Sequence, residues 1–125
     1  MSVFKVNVIA VNPLEPARHT PPIEALVDTG SELTWLPGNL LSQAGVTPCR
    51  KLRFQTATNE TVERDIGYAI LQVDGFEAID HVVFAQDGDM NLLGVRTLEG
   101  FSVTVDAIAH RFIVTPTLVA CVAAP

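Results

Sequence analysis

Two long apolar segments meet at the dipeptide Asp74-Gly75, and this arrangement restricts the fold more than any other feature of the sequence. Residues 61–73 and 76–85 are rich in β-branched and aromatic side chains, which favour extended structure. Asp-Gly is a preferred two-residue connection between antiparallel strands, because both positions of that turn require positive φ angles. The sequence therefore predicts a long β-hairpin at the centre of the domain.

Shorter strand-like segments surround this hairpin, and the chain has little helical pattern. We expect strands over residues 3–9, 23–27, 33–36, 50–56, 101–106 and 111–115. Asn39 is placed to cap a short helix over residues 40–44, which stops at Gly45. One further helical turn is expected over residues 95–99. Many short strands with little helix predict an all-β fold, a small closed or nearly closed barrel, in a single domain over residues 1–125.

The composition argues against several classes of partner. Lys and Arg number 8 against 14 Asp and Glu, so the net charge is −6 and no basic surface for nucleic acid is expected. The sequence has neither a signal-peptide pattern nor an apolar run of membrane-spanning length. Its histidines and cysteines follow no metal-binding spacing. We therefore expect a cytoplasmic chain with no metal, cofactor or membrane partner. Cys49 and Cys121 are expected to be free thiols, with an intramolecular disulfide as the alternative.

An aspartate, Asp28, directly follows an apolar run, and a threonine, a glycine and a serine come after it. These residue types are common in tight turns, so Asp28 alone has the simple interpretation of a turn residue. Apolar residues flank the group on both sides, however, with Leu33 beginning the next run. The carboxylate is then expected at the edge of a core, where it is costly unless it is hydrogen bonded or shares a proton. These residues alone leave both interpretations open.

Two motifs together resemble those of the retropepsin-like aspartic proteases, in particular the small single-domain bacterial and archaeal type. The first is ALVDTGS at residues 25–31, and the second is NLLGVRTLE at residues 91–99. The order of segments is similar too, with a proline-rich loop before the first motif and the second motif near the end. The resemblance covers about residues 3–115 and implies a closed barrel of the acid-protease type, with one or two short helices.

The resemblance also implies aspartic endopeptidase activity in a homodimer. Such proteases activate a water between two carboxylates that share one proton. The chain carries a single Asp-Thr-Gly motif, so it would supply half of a site and form a C2 pair. The two Asp28 side chains would then act as catalytic base and acid on a peptide or protein substrate. The alternatives are a catalytically weak dimer that binds peptides, and a structural dimer in which Asp28 is a turn residue.

Neighbouring residues acquire roles through the same resemblance. Thr29 would hydrogen bond across the dimer axis, and Gly30 would let the backbone approach the carboxylates and the substrate. Ser31 would hydrogen bond the outer oxygen of Asp28. The flap that closes over substrate is expected at a hairpin tip formed by Ala57, Thr58, Asn59 and Glu60. Retroviral enzymes carry several glycines there and this chain has none, which implies a stiffer or differently shaped flap. Support beneath the active-site loop is expected from Leu92, Leu93 and Gly94.

Three expectations concern residues outside these roles. Trp35 is expected to be a core residue rather than one that stacks on substrate, because its strand is apolar. Arg96 and Glu32 are expected to be unrelated surface charges, with an ion pair between them as the alternative. The apolar tail at residues 118–122 is expected to build the dimer sheet.

Overall fold

Short strands dominate the structure, as the sequence predicts. The computed structural model describes residues 4–115 and 119–122. Its strands are β1 (Lys5–Val11), β2 (Ile23–Val27), β3 (Thr34–Pro37), β4 (Arg50–Gln55), β5 (Thr61–Val73), β6 (Phe76–Ala85), β7 (Leu92–Leu93), β8 (Val103–Asp106) and β9 (Arg111–Val114). Its helices are α1 (Gly38–Gln43) and α2 (Val95–Gly100).

The β5–β6 hairpin forms around the turn that the sequence predicts. The two strands pair along their length, from Val73 opposite Phe76 to Ile66 opposite Val83. The connecting residues Asp74 and Gly75 have φ angles of 49° and 84°, which are the positive values that this kind of turn requires. Both strands begin and end at the predicted residues.

The strands close into a ring, which confirms the predicted barrel. Its order is β1-β2-β7-β3-β6-β5, and β5 pairs back onto β1 to complete it. Strand β4 pairs with the first half of β5 and extends the sheet beyond the ring. Two of the pairings are parallel, β2 with β7 and β3 with β6, and they join segments that are distant in the sequence. Strands β8 and β9 form a separate two-stranded sheet.

Apolar side chains fill the ring and fix its shape. The largest fully buried apolar side chains are Leu36, Leu41, Ile66, Leu71 and Leu93. Burying one such side chain contributes about 1.5–3 kcal/mol to stability. A smaller cluster of Leu33, Ile66 and Val83 packs against the half-buried Trp35, Leu52 and Phe54. Val27, the last residue of β2, is also buried in the main core, and Asp28 follows it directly.

The first helix begins in a different way from the one expected. Pro37 is its N-cap residue, with no side-chain hydrogen bond, and Asn39 lies inside the helix. Proline ends β3 because it has no N–H to continue the ladder, and its fixed φ prepares the entry into a helix. The other end is as predicted, since Gly45 has a φ of 80° and its N–H donates to the Ser42 carbonyl at 2.9 Å.

Several expectations concern the ends of the chain. The first strand begins at Lys5, and Val3 lies outside the described residues. Leu118 also lies outside them, while Val119 and Val122 are exposed. Cys49 and Cys121 are free and exposed, as expected. Neither α1 nor α2 is long and apolar enough to cross a membrane.

Candidate active site

Asp28 lies where β2 leaves the ring. The preceding residue, Val27, is buried and pairs in parallel with Leu93 of β7. The Asp28 N–H donates to the Leu93 carbonyl at 3.0 Å, so the backbone of the aspartate continues the ladder beyond the end of the strand. Its side chain is half-buried. The carboxylate therefore stands at the edge of the core, where the flanking apolar residues predict it.

A tight turn carries the chain from Asp28 to Ser31. The Asp28 carbonyl accepts the Ser31 N–H at 3.1 Å, and the Asp28 Oδ1 atom accepts the Gly30 N–H at 2.9 Å. A Cβ at position 30 would lie 3.2 Å from the same carboxylate oxygen, so glycine lets the amide approach closely. Thr29 is exposed.

Ser31 does not bond the Asp28 carboxylate, and that expectation was wrong. Its hydroxyl donates to the Leu33 carbonyl at 2.8 Å. A serine has one proton to donate, and the turn directs it towards the following residues rather than back to the aspartate. The donor to the carboxylate is the Gly30 backbone amide instead.

Helix α2 holds the Asp28 loop, which we define as residues 28–33. The Val95 N–H donates to the Ser31 carbonyl at 2.8 Å, and the Arg96 N–H donates to the Glu32 carbonyl at 3.1 Å. The first N–H groups of a helix have no partner within the helix, so they are free to bind acceptors outside it. Carbonyls of the Asp28 loop fill this role here, and the loop is thereby fixed to the start of α2.

Gly94 makes the closest approach between the two motifs. A Cβ at this position would lie 2.4 Å from the Leu33 carbonyl oxygen, far inside any normal contact. Leu93 is fully buried in the core, and Leu92 lines a groove beside Asp28. Of the three residues expected to support the loop, Gly94 contacts its backbone, Leu93 packs in the core and Leu92 forms part of the groove wall.

Arg96 and Glu32 approach each other, which corrects the expectation that they are unrelated. Their Nη2 and Oε2 atoms are 3.6 Å apart, and the side chains are 49% and 71% exposed. The backbone hydrogen bond between the same two residues brings them together, and nothing in their sequence spacing indicates it. Because both side chains are well exposed, the pair contributes only about 0–1 kcal/mol.

The Asp28 loop opens onto a groove of about 950 Å³. Its apolar lining comes from several strands and from the turn before β7: Trp35, Leu52, Phe54, Val62, Met90 and Leu92. Alternation along β4 makes Leu52 and Phe54 half-buried, while Arg53 between them is exposed. Ligand sites in proteins are commonly of this size and mostly apolar, so the groove can hold a segment of another chain.

Trp35 belongs both to the core and to the groove. Its ring lies 4.8 Å from that of Phe54, centroid to centroid, and packs against the cluster of Leu33, Ile66 and Val83. The side chain is only half-buried and lines the groove beside Asp28. Trp35 is therefore a partly buried core residue that also forms part of the groove wall, so the interpretation as a core residue is correct only in part.

The segment expected to be a flap is the tip of the β4–β5 hairpin. The Thr56 N–H donates to the Glu60 carbonyl at 2.8 Å, and the Asn59 N–H donates to the Thr56 carbonyl at 3.0 Å. Asn59 has a φ of 67°, the left-handed conformation that glycine adopts most easily. Thr56 and Ala57 line the groove, and Thr58 is exposed. Asparagine thus takes the conformational role of the missing glycine.

A bidentate ion pair joins the β4–β5 hairpin to the turn before the second motif. Arg64 donates through Nε to Asp89 Oδ2 at 2.7 Å and through Nη2 to Oδ1 at 3.0 Å, and the side chains are only 14% and 17% exposed. The hydrogen bond from Arg64 holds the pKa of Asp89 below its ordinary value, although burial acts in the opposite direction. No motif or periodicity in the sequence indicates that Arg64 and Asp89 meet.

Asp89→Asn should lower the free energy of unfolding by about 1–2 kcal/mol at neutral pH, because Arg64 loses a charged partner while mostly buried. The pKa of Asp89 is lower in the folded state than in the unfolded state. Its stabilisation is therefore complete above the unfolded value, about 4, and is lost as the pH falls through the folded value. Urea unfolding at several pH values should show the two proteins converging in acid.

The control is Asp65→Asn on β5, the strand that carries Arg64. Asp65 bonds Lys51 at 2.9 Å, but both side chains are more exposed than the Arg64–Asp89 pair. It should change stability less than Asp89→Asn at neutral pH. A destabilisation by Asp89→Asn that stayed constant down to strongly acidic pH would contradict the assignment of this effect to the ionised carboxylate.

No three His, Cys, Asp or Glu side chains gather closely enough to hold a metal ion among residues 4–115 and 119–122. The polar side chains that line the groove belong to the Asp28 loop, to the β4–β5 hairpin and to the Arg64–Asp89 pair: Asp28, Ser31, Glu32, Arg53, Gln55, Thr56, Arg64 and Asp89. Of the three carboxylates that line the groove, Asp89 pairs with Arg64 and Glu32 approaches Arg96, whereas Asp28 Oδ1 accepts a backbone N–H.

A protein-family model matches most of the chain. Its description is "gag-polyprotein putative aspartyl protease", and the match covers residues 18–100, which include both motifs. No curated protein sequence matches the chain.

Two viral structures share the fold, and a bacterial structure matches more weakly. The simian foamy virus (mac) protease has a TM-score of 0.52 and 18% identity, over 77% of this chain and 92% of that one. A foamy viral protease–reverse transcriptase in complex with double-stranded DNA has a TM-score of 0.50 and 14% identity, over 75% of this chain and 15% of that one. A retropepsin-like aspartic protease from Rickettsia conorii has a TM-score of 0.46 and 22% identity, over 83% of this chain and 84% of that one. The first two similarities confirm the predicted type of barrel.

Proposed function

Since the chain belongs to the gag-polyprotein aspartyl protease family, we propose that it is an aspartic endopeptidase whose active site forms between two copies of the chain. The observation that carries the proposal is the position of Asp28. Its carboxylate stands at the edge of an apolar groove, on a loop held by backbone hydrogen bonds from the second motif. A hairpin that also lines the groove fits the role of a flap over an extended peptide.

The chemistry needs two carboxylates, and each chain supplies one Asp28. In the pair, the ionised Asp28 takes a proton from a water, whose oxygen attacks the carbonyl carbon of the peptide bond. The protonated Asp28 donates its proton to the carbonyl oxygen. The resulting diol collapses as the C–N bond breaks: the amine nitrogen takes the proton that the first Asp28 had removed from water, and the second Asp28 regains a proton from a diol hydroxyl. Two carboxylates in direct contact cannot both ionise, so the pair shares one proton. One carboxylate is then a base and the other an acid at the same pH, as in other aspartic proteases.

Exposed apolar side chains near the end of the chain support the homodimer. Ile113 and Val114 of β9 are 45% and 57% exposed, and Val119 and Val122 are almost fully exposed. Exposed apolar side chains such as these are available for another chain to cover. Thr29 is exposed beside Asp28, so its hydroxyl is accessible for a bond to the partner loop across the axis.

One observation favours the rival function, a peptide-binding module without useful turnover. The bond from the Gly30 N–H to Asp28 Oδ1 is the one that an aspartate makes in an ordinary turn. Under this alternative the groove still binds peptides, and the dimer is a scaffold. Peptide cleavage separates the two functions, because a binding module would show saturable binding and no product.

The specific activity should depend on protein concentration, because a half-site in one chain cannot catalyse the reaction. We expect sedimentation at micromolar concentration to give about twice the chain mass, and the specific activity to fall as dilution separates the pair. After removal of residues 116–125, the doubling of the sedimenting mass and the rise in specific activity should both require higher protein concentrations. A strictly monomeric protein that cleaves peptides at a rate proportional to its concentration would contradict the shared site.

A further inference from the structure

A chain of buried hydrogen bonds leads from strand β6 to the second motif. Thr97 Oγ1 donates to Asp80 Oδ2 at 2.9 Å, Thr97 and Thr34 hydroxyls are 2.6 Å apart, and the Gly94 N–H donates to Thr34 Oγ1 at 3.0 Å. We name this set the threonine relay: Asp80, Thr97, Thr34 and Gly94. Both threonines are fully buried.

The two ends of the relay fix the direction of every bond in it. The Gly94 N–H is only a donor, so Thr34 Oγ1 must accept from it. The ionised Asp80 carboxylate is only an acceptor, so Thr97 must spend its single proton there. Thr34 therefore donates to Thr97. Bonds aligned in one direction polarise one another, and a charged acceptor at the end strengthens the set.

Asp80 is itself immobilised. Its second oxygen, Oδ1, accepts the His81 N–H at 2.7 Å, and the side chain is only 13% exposed. Each carboxylate oxygen thus has a fixed partner, one on β6 and one on α2. The carboxylate is a rigid anchor for the Thr97 hydroxyl.

The other end of the relay meets the Asp28 loop. Gly94 follows Leu93, whose carbonyl accepts the Asp28 N–H at 3.0 Å. Gly94 also precedes the two N–H groups of α2 that bind carbonyls of the loop. Its backbone lies so close to Leu33 that an added Cβ would be 2.4 Å from the Leu33 carbonyl oxygen. A shift of Gly94 therefore moves several contacts that orient Asp28, while the apolar groove walls keep their own packing.

We propose that Asp80 is a positioning residue for peptide hydrolysis, which acts on Asp28 through Thr97, Thr34 and Gly94. The inference rests on the proposed function. Asp80 lies outside the groove and touches no reacting atom. It holds the backbone of the second motif so that the Asp28 carboxylate keeps the orientation that the reaction requires.

Asp80→Ala should lower kcat by about tenfold to a hundredfold, because a small misplacement of a catalytic group costs this much. KM should change less than about threefold, since the groove lining is unchanged. Asp80→Asn should recover most of kcat, because its amide oxygen still accepts the Thr97 hydroxyl proton. The measurement is kcat and KM for a fluorogenic peptide, at a protein concentration where every variant is dimeric.

Two more substitutions test whether Asp80 acts on kcat through the Thr97 hydroxyl. Thr97→Val keeps the shape of the side chain and breaks the relay, so it should reproduce the loss of kcat even if Asp80→Ala folds poorly. Thr20→Val is the matched control, because Thr20 is also buried and its hydroxyl accepts the Ala10 N–H on β1. It should reduce stability without changing kcat. An equal loss of kcat in Thr20→Val, or an unchanged kcat in Thr97→Val, would overturn the proposal.

A readout without catalysis separates this inference from the proposed function. Amide resonances of Gly94 and Asp28 should shift in Asp80→Ala and Thr97→Val and return towards the wild-type positions in Asp80→Asn. Wild-type protein without peptidase activity would refute the proposed function and the kinetic role of Asp80, while such shifts would still support the relay as a structural link. Unchanged resonances of both amides in an active enzyme would refute the relay alone.

Discussion

Asp28→Asn is expected to reduce kcat/KM for peptide cleavage by about 10⁴-fold or more. An amide can neither take a proton from water nor give one to the carbonyl oxygen, and in the dimer both groups are lost together. The fold should be intact, because the side-chain oxygen of the introduced asparagine still accepts the bond that Asp28 Oδ1 receives from the Gly30 N–H. Cleavage assays and thermal unfolding on the same preparation test both halves of this expectation.

Mixing the two proteins tests whether the site is shared. When wild-type chains exchange freely with an equal amount of Asp28→Asn chains, half of the wild-type chains lie in mixed pairs, so the activity should fall to about half. Asp87→Asn, in an exposed turn, is the control, and mixing it in should not reduce the activity of the wild-type chains. Full activity after complete exchange with Asp28→Asn would mean that each chain catalyses the reaction alone.

Gly94→Ala is expected to destabilise the protein by about 3 kcal/mol or more and to lower Tm by about 10 °C. The backbone of Gly94 has φ −90° and ψ 170°, which alanine adopts without strain. The cost comes from space alone, because a Cβ would lie 2.4 Å from the Leu33 oxygen and 3.0 Å from the Glu32 oxygen. Both obstacles are backbone atoms of the Asp28 loop. Protein that still folds should therefore also lose most of its activity.

Gly75→Ala is the comparison that separates crowding from backbone strain. Gly75 has a φ of 84°, but a Cβ there would meet nothing within 4 Å. Its replacement should cost only about 1–2 kcal/mol and leave the activity per folded molecule unchanged. Equal stability losses at positions 75 and 94, with activity retained in both, would show that the Asp28 loop tolerates a displacement of Gly94.

The sequence predicts the long elements well and their arrangement poorly. The bounds of β2, β5 and β6 agree with expectation, because apolar runs and turn residues mark both ends of each strand. Strand β7 has only two residues, and its place between β2 and β3 depends on packing rather than on propensity. The barrel class is therefore predictable, whereas the parallel pairing that brings the two motifs together has no local signal.

The site is predictable in its position and less so in its contacts. Apolar flanks place Asp28 at the edge of the core, and the structure agrees. The partner of Ser31 depends on the path of a turn, since several acceptors lie within reach of one hydroxyl proton. The Glu32–Arg96 contact and the Arg64–Asp89 pair join separate segments, so they follow from the closure of the ring. Sequence spacing contains no information about such pairs.

The parallel pairing of β2 with β7 determines how early, during synthesis of the chain, the Asp28 loop can take its folded position. One edge of β2 pairs with β1. At the other edge, residues 26 and 27 pair with residues 92 and 93 of β7. A growing chain on the ribosome therefore carries its aspartate long before the segment that orients it exists. Contacts between such distant segments also form late in folding, since a long loop must close first. Under the proposed function, no active site can therefore form before residues 92 and 93 have been made.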